Sequence, residues 1–144
     1  MKVYFDSSVL VAALLKRHER HERAAVWFER VVRGRIRATT SAHGIAETWS
    51  SLTGTPLSPR IPSPTAEDMI RSAILDRFDV VEAGAQDYED LLGAAARLDA
   101  RGGSVYDALH LAMARKFRAD VVLTLDLRDF RRVAPDLARR IREP

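Results

Sequence analysis

Cysteine is absent from the chain. That excludes disulfide staples, thiol nucleophiles and thiolate metal sites, and it leaves oxygen and imidazole as the available metal donors. Long apolar runs are also missing, with no stretch approaching the roughly 20 residues that span a bilayer. The first apolar run is broken at Asp6, before a leader peptide could form, so a cytoplasmic protein with no membrane attachment is expected. Neither Gly-x-Gly-x-x-Gly nor a glycine-rich loop ending in Lys-Ser/Thr occurs, which removes the usual nucleotide cradles. A phosphoacceptor receiver would need paired acids after the first strand and a lysine after a late one, and neither is present. Proline is concentrated, four of the six falling within residues 54–64, so the chain has one long irregular connection.

What is present describes one globular domain over residues 1–144. With 47% apolar and 30% charged residues, the chain can bury a core without staples. The net charge is +3, the pI about 9.7, and arginine far outnumbers lysine, a balance that modestly favours an anionic partner such as nucleic acid. The sharper feature is that carboxylates occupy candidate site positions inside a basic protein.

The chain opens on Lys2-Val3-Tyr4-Phe5, a strand covered on both faces, which runs into Asp6-Ser7-Ser8 and the apolar helix of residues 9–15. Asp6 stands where a buried strand ends. That is the ligand position of an open parallel sheet and also a helix-cap position. A second amphipathic helix carries Ala24, Ala25, Trp27, Phe28, Val31 and Val32 and closes at Gly34. His18 and His21 before it lack metal-ligand spacing and read as a solvated helix start. Residues 36–39 form a short strand, and Thr40-Ser41 caps a helix with Ile45, Trp49 and Leu52 on one face. Glu47 points away from that stripe, as a surface glutamate would, and Gly44 marks close packing or close approach of a ligand.

Thr65 and Asp68 have capping-box spacing at the start of a helix through Ile74. Residues 78–81 then form a strand, residues 85–100 a helix ended by Arg101-Gly102-Gly103, and residues 104–114 a helix too apolar for the surface. There Ser104-x-x-Asp107 has capping-box spacing, and His110 reads as a packed or hydrogen-bonded histidine. Residues 121–125 form a second buried strand ending in acid, Asp126, with Asp129 just beyond. The arginine-rich tail contains a short amphipathic run, residues 137–141.

Strands alternating with helices imply right-handed crossovers and a mostly parallel sheet with helices on both faces. Adjacent strands ending in Asp6 and Asp126 would bring two carboxylates together. Such a pair is tolerable when a cation lies between them or one is protonated, and all-oxygen ligation suits Mg²⁺ or Mn²⁺.

Four segments, Val-Tyr-Phe-Asp6-Ser-Ser, the helix carrying Glu47, Tyr-Asp107-Ala-Leu-His-Leu-Ala and Leu-Thr124-Leu-Asp126-Leu-Arg-Asp129-Phe, resemble in order the PIN domain and within it the VapC-type toxin ribonucleases. The resemblance implies a three-layer α/β/α sandwich with a short, mostly parallel central sheet. It also implies an acidic pocket binding Mg²⁺ or Mn²⁺ and hydrolysis of RNA phosphodiesters to 5′-phosphate and 3′-hydroxyl ends. Asp6, Glu47 and Asp107 match the family's acids; Asp126 is taken as the fourth, with Asp129 as its alternative. Ser7 and Thr124 are candidates for contacts to a metal water or phosphate, and Arg101 and the tail arginines for flanking phosphates. The likeness further implies a small antitoxin protein as partner and a homodimer. The competing readings are a PIN-fold nuclease of RNA processing outside a toxin system, and a non-catalytic nucleic-acid or protein-binding module in which the acids serve as caps.

Overall fold

The computed structural model describes residues 1–54, 56 and 59–144. Five strands, β1 (Lys2–Phe5), β2 (Arg37–Ser41), β3 (Asp79–Val81), β4 (Val121–Leu123) and β5 (Ile141–Arg142), form one sheet in the order β3-β2-β1-β4-β5. Every pairing is parallel, so the expected mostly parallel sheet is wholly so among the described residues. β1 is central, with Val3 opposite both Ala38 and Val121.

Alternation along β1 divides the interior. Val3 and Phe5 join one core with residues of α1 (Ser7–Leu14), α2 (His21–Val32), α3 (Ala42–Gly54) and α4 (Ser63–Ile70). Tyr4 joins the other, with residues of α5 (Ala85–Arg97), α6 (Ser104–Phe117) and α7 (Leu127–Val133). Successive side chains of a strand point to opposite faces, so helices must cover both, which gives three α/β/α layers. On the first face Phe5 packs edge-on against Phe28 and Phe78, with ring centroids 5.7 and 5.1 Å apart.

Several elements depart from the sequence expectations. α2 begins at His21, whose Nδ1 lies 3.0 Å from the Ala12 carbonyl, while His18 Nδ1 accepts the Arg20 N–H, so the two histidines are tied separately. α4 begins at Ser63, before the Thr65 capping box, because Pro64 needs no N–H partner in a first helical turn and its φ is already helical. A single π-helical turn, Arg71–Leu75, follows it. The buried stripe of α3 is Gly44, Thr48 and Leu52, and Trp49 is 38% exposed. β4 runs only to Leu123, and after Thr124 the N–H groups leave the ladder: Leu125 N–H donates to Ser8 Oγ and Asp126 N–H to Thr124 Oγ1.

The tail differs most. α7 lies in a stretch to which the sequence assigned no element, and the amphipathic run of residues 137–141 spans the end of a 3₁₀ turn (Pro135–Leu137) and the start of β5. β5 covers the open edge of β4, with Val122 N–H donating to the Arg140 carbonyl and Thr124 N–H to that of Arg142. Thr55, Leu57 and Ser58, in the proline-rich connection, lie outside the described residues. No helix among the described residues is long and apolar enough to cross a membrane.

Candidate active site at the carboxyl edge of the sheet

The carboxyl ends of β1, β2 and β4 open onto one edge, where Asp6, Ser41 and Thr124 follow or end the strands. Asp6 is 3% exposed. Its backbone N–H donates to the Leu123 carbonyl at 3.1 Å, which fixes it against β4. Its Oδ1 accepts from Val9 N–H (2.9 Å) and from Ser8 Oγ (2.7 Å), so it does cap α1. Burial pushes its carboxyl above the ordinary range, opposed by His110, by the Ser8 and Thr124 hydroxyls and by Val9 N–H. Ser8 joins the two strand ends, donating to Asp6 and accepting from Leu125 N–H at 3.0 Å.

Glu47 is not the surface glutamate its helix pattern implied. It lies one turn from Gly44, so it faces the sheet edge, and its Oε2 accepts from His110 Nε2 at 2.6 Å. His110 Nδ1 is 2.8 Å from Tyr4 Oη, and both residues are buried. Burial disfavours the Glu47 anion. The bond and charge of His110, a bond from Ser7 and the nearby His43 outweigh that and pull its carboxyl down to about 2. His43 Nε2 stands 3.2 Å from Glu47 Oε1, out of line for a hydrogen bond. Gly44 makes the arrangement possible: a Cβ there would lie 2.9 Å from Thr40 Oγ1 and 3.1 Å from His110 Cε1. Of the two readings of this glycine, close packing is the one observed.

Asp107 sits in the first turn of α6. The residue preceding that helix is Gly103 with no side-chain cap, and Ser104 Oγ accepts instead from Arg132, so the capping-box reading of Asp107 fails. Its carboxyl is pushed up to about 6 by burial and then by Asp126, with Asp129 and Asp6 adding to the effect and His110 opposing it. Asp126 caps α7, its Oδ1 accepting from Asp129 N–H at 3.3 Å. Asp129 lies 3.7 Å from Arg128 and 3.4 Å from Arg132.

Asp6, Glu47, Asp107, Asp126 and Asp129 are therefore brought to one edge, with the buried His110 among them. Asp6, Glu47 and Asp107 each feel its charge. The hydroxyls of Ser7 and Thr124 are engaged by the acids, Ser7 by Glu47 and Thr124 by Asp6. Arg101 is paired twice with Asp99, and Arg131 and Arg140 donate to backbone carbonyls. Among the described residues no three histidine or carboxylate groups form a ready-made metal cage. The donor set nevertheless fits a hard divalent cation: it is rich in carboxylate oxygen, and the carboxyl of Asp107, raised first by burial, is raised further by Asp126, Asp129 and Asp6.

The sequence reading missed Tyr4, Ser8 and His43 as parts of this edge. The i,i+4 spacing of His43 and Glu47 was available as a signal. Nothing local marked Tyr4, whose partner His110 is distant in sequence, and although Ser8 bonds the nearby Asp6, its second partner, Leu125, is equally remote.

A central β1 flanked by parallel strands, helices on both faces and acids at the carboxyl edge define the class: the PIN domain family model matches residues 3–135, and the chain belongs to that family. It is 32% identical over 123 residues to Ribonuclease VapC40 of Mycobacterium tuberculosis, covering 85% of each chain. To Ribonuclease VapC27 of the same organism it is 29% identical over 117 residues, covering 81% of this chain and 79% of the other. Among solved structures, Mycobacterium tuberculosis VapC20, described as a sarcin–ricin loop cleaving toxin, superposes with a TM-score of 0.63 at 22% identity, covering 83% and 86% of the two chains. VapBC2 from Rickettsia felis, bound to a DNA fragment from its promoter, superposes at 0.62 with 15% identity, covering 93% and 94%.

Proposed function

We propose that this chain is a Mg²⁺- or Mn²⁺-dependent endoribonuclease, the toxin of a toxin–antitoxin pair with a small antitoxin protein as its partner. The observation that carries the reading is the gathering of acids at the carboxyl edge, where burial and then Asp126, Asp129 and Asp6 raise the carboxyl of Asp107 in a protein of net positive charge. The VapC relatives support RNA as substrate, and the VapBC assembly among the structural neighbours supports an antitoxin partner. A homodimer and a cytoplasmic location follow from the same likeness.

Asp6, Asp107, Asp126 and Glu47 are assigned to the metal pocket. Asp126 is favoured over Asp129 because it acts more strongly on Asp107, while Asp129 is close to two arginines. A divalent ion there acidifies water and offsets charge on the phosphodiester oxygens. Asp107 must be ionised to act as a ligand, so binding releases its proton below about pH 6. Glu47, ionised down to about pH 2, is too weak a base to shuttle a proton and serves as a fixed negative group oriented by His110. Tyr4 and the sheet behind it hold that imidazole in place.

The test is purified protein incubated with structured RNA and Mn²⁺ or Mg²⁺, alongside Asp6→Asn and Asp107→Asn. Cleavage lost in both variants and in EDTA, with 5′-phosphate products, is expected; undiminished cleavage by both variants sinks the reading. The antitoxin claim is tested separately, by co-purification with the product of a neighbouring small reading frame. One observation favours a non-catalytic module instead: Asp6 and Asp126 both cap helices. Mn²⁺ titration separates the two, because a module whose acids are only caps would not bind the ion at this edge.

A further inference from the structure

Tyr106 has no part in the chemistry assigned above. It precedes Asp107 in the first turn of α6 and is 51% exposed. The ring of His43, from the first turn of α3, lies parallel beneath it, with centroids 5.2 Å apart and planes 10° apart. His43 lies offset against one face of the tyrosine, and more than half of the residue stays open to solvent. The inner ring reaches the acids, through the 3.2 Å approach of His43 Nε2 to Glu47 Oε1. Two helices thus build a short aromatic stack with one end at the acidic edge and the other in water.

That edge is poorly suited to hold a polyanion by charge, and Arg101, Arg131 and Arg140 are engaged within the protein. Affinity for a strand can draw on stacking as well as on phosphate contacts. Stacking of a base on an aromatic face requires no charge, and a tyrosine already fixed by a ring behind it loses little freedom on binding. On this geometry, and resting on the ribonuclease reading above, we propose that Tyr106, backed by His43, is the stacking platform for an unpaired nucleobase of the RNA next to the scissile phosphate. Purines, with the larger face, are preferred there.

The experiment compares wild type with Tyr106→Ala and Tyr106→Trp on a single-stranded oligoribonucleotide that wild type cuts, with nucleotides flanking the cut replaced one at a time by abasic residues. Circular dichroism and melting establish that the variants fold. Tyr106→Ala is expected to raise KM about tenfold, with kcat changed less than about threefold, and Tyr106→Trp to restore it. One abasic position should cost wild type about as much and cost Tyr106→Ala nothing further. An unchanged KM in Tyr106→Ala, or equal abasic penalties in both proteins at every position, overturns the proposal while leaving the ribonuclease reading intact. If wild type cuts no RNA, that reading fails by itself, and the platform is judged by 2-aminopurine oligonucleotide fluorescence in EDTA. Quenching by wild type that Tyr106→Ala lacks supports the platform, and equal or absent quenching overturns it.

Discussion

Replacing Asp107 with asparagine should stabilise the metal-free protein, although it removes a residue assigned to the active site. The carboxyl stands at about 6 against an ordinary 3.8, raised by burial and by three neighbouring aspartates. Between pH 4 and 6 the folded protein therefore holds more protons at this group than the unfolded chain does, and stability falls as pH rises through that window. Two pH units at about 1.4 kcal/mol each set an upper bound of about 3 kcal/mol. Partial access to water at a half-buried site reduces this to about 1–2 kcal/mol. For a chain of this size that corresponds to a rise in melting temperature of about 3–8 °C. The assay is thermal and urea unfolding of wild type and Asp107→Asn in EDTA at pH 5 and pH 7.5. The advantage of the variant should be large at pH 7.5 and about half as large at pH 5, where the unfolded chain has already ionised although the folded carboxyl is mostly protonated. A variant less stable than wild type at pH 7.5, or an advantage equal at both pH values, would refute the account of Asp107 as a carboxyl raised by burial and by its neighbours.

Mn²⁺ should raise the melting temperature of wild type and not that of Asp107→Asn, and EDTA should reverse the rise, as followed by scanning fluorimetry. The apparent affinity for Mn²⁺, measured by isothermal titration, should fall about tenfold per pH unit below pH 6 as Asp107 retains its proton, and should level off above it. Tyr4→Phe removes the hydroxyl 2.8 Å from His110 Nδ1 and should cost about 1–3 kcal/mol in urea unfolding while lowering kcat more than KM. Gly44→Ala should lower stability by about 1–3 kcal/mol even though alanine is the better helix former, because its Cβ would press on Thr40 and His110; a gain in stability would show that the edge can yield.

The gross architecture was legible because it depends on local pattern. Val3, Tyr4 and Phe5 in succession mark a strand buried on both faces, and the alternation of such strands with amphipathic stretches dictates a parallel sheet between helix layers. The acids were legible by position. Asp6 follows such a strand and Asp126 lies just past another, and those strands are neighbours in the sheet. Less was legible where a partner is distant. Glu47 looked exposed because its helix was oriented by apolar residues alone, whereas α3 is seated by Gly44 and Thr48, small enough to bring it close to Thr40 and His110. The tail read as an amphipathic run, and only the open edge of β4 makes Ile141 and Arg142 a strand.

By itself, the sequence determined the order of elements, the two-sided sheet and a set of acids with no cysteine chemistry to compete with them. Only the tertiary structure decided which of those acids have raised or lowered carboxyls and which face one another. Capping depends on neighbours a few residues away and can be read along the chain. The state of a carboxylate depends on burial and on groups more than 60 residues distant, such as His110 for Glu47 and Asp6 for Asp107, and those distances exist only after the sheet has formed.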